Sequence, residues 1–283
     1  MKDTYLLDNY SINCKGNLID LSTPKIMGII NVTPDSFYDG GRIKSDKDLL
    51  SKVESFLKDG ADIIDLGGYS SKPNAKEVKE EEEIKRIIPS LKLILNSFPE
   101  AVISIDTFRS KVANESLFHG ASIINDISAW EIDNELFNVI VKHKCPYILM
   151  HMKGTPATMQ TNPSYENVTQ EVLQFFSEKL LKLKKNGLHD IMIDPGFGFG
   201  KTVNDNYKIM SELNQFGLLE HPILVGVSRK SMIHKLLKIS IKETINGTTA
   251  LNMYALNKGA KILRVHDIKE AVECVKIHQQ LKN

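Results

Sequence analysis

The stretch Asp190-Ile-Met-Ile-Asp194-Pro-Gly-Phe-Gly-Phe-Gly-Lys201 contains the pattern that decides the fold: a short apolar run, an acidic residue and a glycine-rich loop. A continuous apolar run of this length, bounded by turn residues, is typical of a strand that is buried on both faces. Strands of this kind form parallel sheets covered by helices, so the stretch predicts an α/β protein.

Seven further apolar runs of the same type lie before and after this stretch, at intervals of about 34 residues, which is the size of a strand–helix unit. The eight predicted strands are residues 26–30, 62–66, 101–105, 122–125, 147–150, 190–193, 222–227 and 261–265. Eight units of this size fit a (β/α)8 TIM barrel, and a doubly wound open sheet is the alternative.

The segments between the predicted strands have helical periodicity. In one of them, Leu49, Val53 and Phe56 lie on one face of a helix that Gly60 would end. The predicted helices are residues 46–59, 77–95, 165–185, 244–257 and 268–281. We expect the acidic run at residues 80–83 to lie on a solvated helix face.

Residues 1–24 precede the first predicted barrel strand. Residues 11–14 and 17–21, joined by Lys15-Gly16, predict a short N-terminal β-hairpin, which we expect to cover the bottom of the barrel. No linker or low-complexity tract interrupts the chain, so residues 1–283 are assigned to a single domain.

Composition and charge exclude several classes of protein. A content of 42% hydrophobic and 25% charged residues is typical of globular proteins and not of disordered chains. The 36 Lys and Arg residues nearly balance the 35 Asp and Glu residues, so no overall field attracts nucleic acid or an anionic membrane. We see neither a signal peptide nor a membrane-spanning apolar run, and three scattered cysteines are expected to be free thiols, so we expect a cytoplasmic protein.

Every predicted strand leads into a polar or charged residue at its carboxyl end, where the active sites of barrels lie. Asp106, Asn125 and Asp194 supply hydrogen-bond acceptors that suit a ring rich in N–H donors, such as an amino-pyrimidine. The last two strands supply a group of cations that suits phosphate, namely Arg229, Lys230, Arg264 and His266. The pattern predicts a pocket for a polar heterocycle that carries a phosphate or diphosphate.

Structural explanations remain open for several of these residues. Asp106, Asp194 and Ser228 could be helix N-caps, and Arg264 could form an ion pair with Asp267. His151, which follows the fifth predicted strand, could be a core histidine whose hydrogen bonds are satisfied within the protein. Methionines near the strand ends, including Met150 and Met152, are expected to pack in the barrel.

Seven ordered motifs between about Lys25 and Val275 resemble those of the dihydropteroate synthases. They begin with Gly28-Ile-Ile-Asn31-Val-Thr-Pro-Asp35 and end with Arg264-Val-His266-Asp267, and they include the glycine-rich loop at residues 194–201. The resemblance implies a transferase of folate biosynthesis that condenses 6-hydroxymethyl-7,8-dihydropterin diphosphate with 4-aminobenzoate to give 7,8-dihydropteroate and diphosphate. It also implies Mg²⁺ as the cofactor, small molecules as partners, a homodimer formed through the last helices, and a target of sulfonamides.

The resemblance assigns roles to residues of this chain by their positions in the motifs. The residues implied to bind the pterin are Asp106, Asn125, Asp194 and Lys230. Those implied to face the diphosphate are Asn31, Arg264 and His266, with Asn31 near the Mg²⁺. Those implied to shape the 4-aminobenzoate site are Ser71, Pro73, Phe199 and Ser228. The implied catalytic residues are Asp106, Lys230 and Asn31.

The second loop departs from the pattern of the family, which usually reads Gly-Gly-x-Ser-Thr-Arg-Pro-Gly. Here the loop reads Gly67-Gly-Tyr-Ser-Ser71-Lys72-Pro73-Asn74. Lys72 keeps the charge of the usual Arg but loses its planar fork of donors, so we expect weaker binding of 4-aminobenzoate. Two other functions stay open: a methyltetrahydrofolate–corrinoid methyltransferase, which needs no diphosphate site, and a pterin-binding protein without catalytic activity.

Overall fold

The computed structural model describes residues 10–33, 45–69 and 78–282. Its strands are β1 (Ser11–Cys14), β2 (Asn17–Asp20), β3 (Lys25–Asn31), β4 (Ile63–Gly67), β5 (Ile103–Asp106), β6 (Ile123–Asp126), β7 (Tyr147–Met150), β8 (Ile191–Asp194), β9 (Ile223–Val225) and β10 (Ala260–Val265). β3 to β10 pair in parallel and close into a barrel in the order β10-β3-β4-β5-β6-β7-β8-β9. The predicted TIM barrel is confirmed, and the open-sheet alternative is wrong.

The helices lie outside the barrel, each between two strands or after the last one. They are α1 (Asp46–Asp59), α2 (Glu80–Ser97), α3 (Ser110–Phe118), α4 (Glu135–His143), α5 (Val168–Lys185), α6 (Val203–Ser211), α7 (Ser231–Leu237), α8 (Ile245–Asn257) and α9 (Ile268–Lys282), with short 3-10 helices at Leu213–Leu219 and Ile241–Glu243. Local signals set the ends of α1. The side chain of Ser45 accepts a hydrogen bond from the backbone N–H of Asp48, and Gly60 ends the helix in the left-handed conformation.

Four of these helices were not predicted from periodicity: α3, α4, α6 and α7. Each has only seven to nine residues, which is too short for an apolar stripe to repeat. In α3 the buried positions are small or polar, including Ser110, Ala113 and Ser116. Their helical state follows from packing against the barrel, which the local pattern does not report.

Several barrel strands end one residue later than predicted, and that residue is polar. Asp106 still pairs with Gly67 on one side and with Asn125 on the other, and Asp194 pairs with Met150. The predicted strand at 222–227 is shorter, because the pairing of β9 with β10 ends at Val225. The polar residues at the strand ends are therefore fixed by sheet hydrogen bonds and do not belong to loops.

Two apolar layers hold the barrel together. The larger one packs the outer faces of the strands against the helices. The other fills the lower interior with residues such as Met27, Met192 and Leu224, and the hairpin side chains Ile12 and Leu21 belong to the same cluster. The N–H of Asn13 also donates to Oδ1 of Asp190 at 3.1 Å, so the β1–β2 hairpin covers the bottom of the barrel as expected.

The cysteines Cys14, Cys145 and Cys274 are free and buried. Burial raises the pKa of the Cys14 and Cys145 thiols to about 12, so both stay protonated at neutral pH. This agrees with the predicted free thiols. Within the described ranges, no helix combines the length and the apolar character that crossing a bilayer requires.

Candidate active site

The carboxyl ends of the barrel strands bring together four polar residues that are far apart in the sequence. Asp106 on β5 lies beside Asn125 on β6 in the parallel register. Asp194 ends β8, and Arg264 lies on β10, which closes the barrel. Asn125 and Asp194 are buried, and the side chain of Asp106 keeps 16% of its surface exposed. The acceptors predicted for a ring with N–H donors therefore lie at one mouth.

Arg264 lies between two carboxylates. Its Nε and Nη2 donate to Oδ2 of Asp65 and to Oδ2 of Asp106, each at 2.6 Å. Asp65 also accepts a hydrogen bond from Nδ2 of Asn125 at 3.1 Å and is fully buried. The proposed Arg264–Asp267 ion pair is wrong, because Asp267 instead binds Arg229 through Nη2 at 2.5 Å.

Asp65 lies on β4 and has no role among the residues predicted from the sequence. Its position within an otherwise apolar strand was the only available signal, since its partner Arg264 is 199 residues away in the chain. Burial raises the pKa of Asp106 to about 7, and the positive charge of Arg264 works against this rise. Asp106 is therefore able to change its charge near neutral pH.

Asp194 and Lys230 meet at the glycine-rich loop. Oδ1 of Asp194 accepts a hydrogen bond from the N–H of Gly196 at 2.8 Å, and Nζ of Lys230 donates to the carbonyl of Phe197 at 2.5 Å. Nζ of Lys230 also lies 4.9 Å from the centre of the Phe199 ring. Burial lowers the pKa of Lys230 to about 8 and raises that of Asp194, and each charge opposes the shift of the other.

The N-cap explanations for the three strand-end residues are not supported. The N-cap of α3 is Arg109, that of α6 is Thr202 and that of α7 is Lys230. Ser228 instead joins the ends of β9 and β10, because its Oγ lies 3.0 Å from Nδ1 of His266 and accepts from the His266 N–H at 3.3 Å. Ser228 and His266 therefore lie side by side at the mouth.

Two of the four cations predicted to bind phosphate contact carboxylates in this structure: Arg229 contacts Asp267, and Arg264 contacts Asp65 and Asp106. Their assignment to a phosphate stays a prediction. Asn31 ends β3 beside Gly67, where a Cβ atom would lie 2.9 Å from Oδ1 of Asn31. A side chain at position 67 would collide with this carboxamide oxygen, which is a hard ligand of the type that Mg²⁺ prefers.

An apolar cluster covers one part of the same mouth. It consists of Phe108, Ile127, Met150, Met152 and Met159, with Tyr69 and Phe199 packed against it. The expected packing role of the methionines at this strand end is confirmed. Together with the ring of Phe199, the cluster offers apolar surface to a flat ligand.

The second loop is held at both described ends by arginines. Nη1 of Arg86 donates to the carbonyl of Gly68 at 3.1 Å, and Nη2 of Arg109 donates to the carbonyl of Val78 at 2.5 Å. Arg109 also contacts the carboxylate of Glu83, which is fully buried. The prediction that the whole acidic run at residues 80–83 is solvated is therefore wrong for Glu83, because it pairs with Arg109 beneath the loop.

The loop residues Ser71, Lys72, Pro73 and Asn74, and Asp35 of the first loop, lie outside the described residues. His151 is buried, and its Nδ1 lies 2.9 Å from Nζ of Lys201. Burial lowers the pKa of His151 to about 2, so the imidazole is neutral. This agrees with the interpretation of His151 as a core histidine with satisfied hydrogen bonds.

Comparisons with known proteins agree with this geometry. Residues 27–266 match the model of a family described as pterin binding enzyme. The dihydropteroate synthase of Haemophilus influenzae is 43% identical over 267 residues, which cover 94% of this chain and 96% of the relative. That of Escherichia coli K12 is 43% identical over 265 residues, 93% of each chain.

Solved structures that resemble this chain are also dihydropteroate synthases. A Yersinia pestis dihydropteroate synthase in a sulfonamide drug complex superimposes with a TM-score of 0.92 at 37% identity, covering 96% of this chain and 99% of the other. The Xanthomonas albilineans enzyme in complex with 7,8-dihydropteroate gives a TM-score of 0.85 at 32% identity, with the same coverage. The similarity extends over the barrel and its mouth, and not over one motif alone.

Proposed function

The chain belongs to the dihydropteroate synthase family, and we propose on this basis that it condenses 6-hydroxymethyl-7,8-dihydropterin diphosphate with 4-aminobenzoate. The products are 7,8-dihydropteroate and diphosphate, which makes the protein a transferase of folate biosynthesis. The observation that carries the proposal is the convergence of Asp106, Asn125, Asp194 and Lys230 at the carboxyl mouth of the barrel.

The four residues match the polar edge of a pterin. Carboxylate and carboxamide oxygens accept hydrogen bonds from the ring and exocyclic N–H groups, and the ammonium of Lys230 donates to the ring carbonyl or to a ring nitrogen. Burial makes these contacts selective, because a ligand that lacks the matching donors would leave the buried acceptors unpaired.

The reaction needs charge stabilisation more than a nucleophile–base pair. The bond between the pterin methylene carbon and the diphosphate oxygen breaks, and the electron pair leaves with the diphosphate. The positive charge that develops spreads over the pterin ring, where ionised Asp106 stabilises it. The amine nitrogen of 4-aminobenzoate then bonds to the methylene carbon and loses a proton to solvent.

We assign the diphosphate to Asn31, Arg264 and His266, and Mg²⁺ to Asn31. The donor set fits Mg²⁺, which keeps several waters and takes further oxygens from substrate phosphates, so one protein oxygen is sufficient. Among the described residues no group of three or more acidic, histidine or cysteine side chains forms a metal cage, which agrees with a metal held largely by the substrate. When bound, Mg²⁺ neutralises charge on the leaving diphosphate.

We assign 4-aminobenzoate to the surface formed by Phe199 and Ser228, with Ser71 and Pro73 from the second loop as sequence-based members. The Yersinia pestis relative is known in a sulfonamide complex, and the Xanthomonas albilineans relative is known with 4-aminobenzoic acid. We propose that this chain binds both types of compound at the same place. A sulfonamide that competes with 4-aminobenzoate in steady-state kinetics would support this assignment.

The decisive experiment is turnover of the purified protein with pterin diphosphate, 4-aminobenzoate and Mg²⁺, assayed by dihydropteroate formation. We expect product that depends on Mg²⁺ and that falls at least about a hundredfold in Lys230→Ala. Binding of pterin diphosphate without turnover would instead support a non-catalytic pterin-binding protein. Methyl transfer from methyltetrahydrofolate to a corrinoid protein would support the methyltransferase alternative.

We also propose that the protein is a cytoplasmic homodimer formed through its last helices. In support, α7, α8 and α9 expose large apolar side chains, namely Leu236, Leu237, Ile245, Tyr254 and Ile277. Sedimentation equilibrium should give a dimer for the wild type and a monomer for Tyr254→Lys. The control Leu218→Lys changes an exposed leucine outside these helices and should leave the dimer intact.

The proposed location in the cytoplasm is supported by the cysteines. All three are buried free thiols, which agrees with a reducing compartment.

A further inference from the structure

Lys201 lies at the end of the glycine-rich loop and is almost completely buried, with 3% of its surface exposed. Its ammonium is surrounded by four acceptors: Nδ1 of His151 at 2.9 Å, the carbonyls of Gly196 and Phe199 at 3.0 Å each, and the carbonyl of His151 at 3.3 Å. Three of these four acceptors are backbone carbonyls, so Lys201 holds a particular backbone conformation in place.

We propose, on the basis of the function proposed above, that Lys201 is a positioning residue that sets the affinity for the pterin by fixing the glycine-rich loop. The loop supplies direct contacts to two of the assigned pterin-binding residues. The N–H of Gly196 holds Oδ1 of Asp194, and the carbonyl of Phe197 holds Nζ of Lys230. Lys201 donates to the carbonyls of Gly196 and Phe199, which lie on either side of Phe197 in the loop.

The loop conformation that Lys201 stabilises is one that favours glycine at three positions. Gly196, Gly198 and Gly200 all have positive φ angles, which most residues avoid. At Gly196 a Cβ atom would lie 1.9 Å from the carbonyl oxygen of His151, the same carbonyl that faces Lys201. The loop therefore packs backbone against backbone, and its own carbonyls must find donors there.

Two other carbonyls of the loop have more exposed donors than Lys201. The exposed Gln160 donates to the carbonyl of Gly198 at 2.8 Å, and the hydroxyl of Tyr165 donates to that of Gly200 at 2.6 Å. The side chain of Lys201 contacts the carbonyls of Gly196 and Phe199 and also His151, the residue that follows β7. It thereby connects the loop to the end of that strand. Burial lowers the pKa of Lys201 to about 7, and the neutral imidazole of His151 suits its role because the unprotonated Nδ1 accepts a hydrogen bond from either form of the amino group.

The test compares Lys201→Met with Lys261→Met. Lys261 is also a buried lysine, but it lies near the opposite end of β10 from the mouth. Binding of 6-hydroxymethylpterin, which occupies the pterin site without a leaving group, would be measured by calorimetry, with thermal unfolding alongside. We expect the dissociation constant to rise at least about tenfold in Lys201→Met and less than about twofold in Lys261→Met.

Two further variants separate positioning from general stability. Lys201→Arg keeps a buried cationic donor and should bind the pterin more tightly than Lys201→Met. Tyr165→Phe removes only the hydroxyl that holds Gly200 and should raise the dissociation constant by about threefold.

Equal pterin affinity in wild type and Lys201→Met, or equal losses in Lys201→Met and Lys261→Met, would overturn the proposal. If Lys201→Met does not fold, Lys201→Gln takes its place, because its shorter amide cannot reach the same carbonyls, and unchanged affinity in that variant would overturn the proposal. A wild-type protein that binds 6-hydroxymethylpterin but forms no dihydropteroate would contradict the proposed function alone, because the affinity comparison does not depend on turnover.

Discussion

Arg264 holds the carboxylate of Asp106 at 2.6 Å across the mouth of the barrel, although 158 residues separate them in the chain. The same guanidinium contacts Asp65, so one positive charge faces two carboxylates. Since burial raises the pKa of Asp106 to about 7, the charge of Arg264 decides how much of Asp106 is ionised at neutral pH. In the proposed mechanism Arg264 therefore controls the ionisation of the group assigned to stabilise the cationic pterin.

The pH dependence of catalysis should report this relationship. In the proposed mechanism ionised Asp106 is the active form, so kcat/KM for pterin diphosphate should rise with pH through a midpoint near the pKa of about 7. Arg264→Gln removes a charge that lowers this pKa, so its midpoint should move to higher pH. Rates measured between pH 5.5 and 9 would give both midpoints. Asp106→Asn is the control, because its kcat/KM should show no rise from ionisation at this position. A midpoint that stays in place or falls in Arg264→Gln would contradict the assignment.

The buried Glu83–Arg109 pair should contribute strongly to stability. Glu83→Gln leaves the positive charge of Arg109 without its buried partner, and we expect the free energy of unfolding to fall by about 3–5 kcal/mol. The neighbouring Glu82 pairs with Arg86 at 3.1 Å on an exposed surface, so Glu82→Gln should cost less than about 1 kcal/mol. Urea unfolding of both variants measures the difference, and similar losses would show that burial of the pair has no special effect.

Two glycines with nearly the same backbone conformation should respond differently to alanine. Gly196 has φ +72° and Gly187 has φ +77°, but a Cβ atom meets the backbone only at Gly196. Both substitutions should cost about 1–2 kcal/mol in backbone strain. Gly196→Ala should cost about 1–3 kcal/mol more and should also weaken pterin binding. Thermal unfolding and pterin titration test this, and a normal pterin affinity in Gly196→Ala would count against the fixed loop.

Lys72 in the second loop should limit the binding of 4-aminobenzoate. Lys72→Arg restores the planar fork of donors that the family usually carries, so the KM for 4-aminobenzoate should fall about threefold to tenfold. The KM for pterin diphosphate should stay the same and serves as the internal control. An unchanged KM for 4-aminobenzoate would refute the expectation.

Local patterns were sufficient to predict the architecture. Eight apolar runs with a mean spacing of about 34 residues predicted the barrel strands, because strands buried on both faces need continuous apolar residues. The hairpin before them and the five longer helices followed from turn residues and periodicity in the same way. The strand-end position of Asp106, Asn125 and Asp194 also predicted the mouth, since parallel strands bring their carboxyl ends to one edge.

The sequence by itself therefore determined the barrel, the place of the site and the family to which the chain belongs. Only the tertiary structure decided which side chains pair there. Asp65 with Arg264, Glu83 with Arg109 and Lys201 with His151 are contacts between residues 26 to 199 positions apart. Such pairs produce no periodic pattern in the sequence, because closure of the barrel brings the two partners together. The desolvation cost of a buried charge without a partner then favours the pairing.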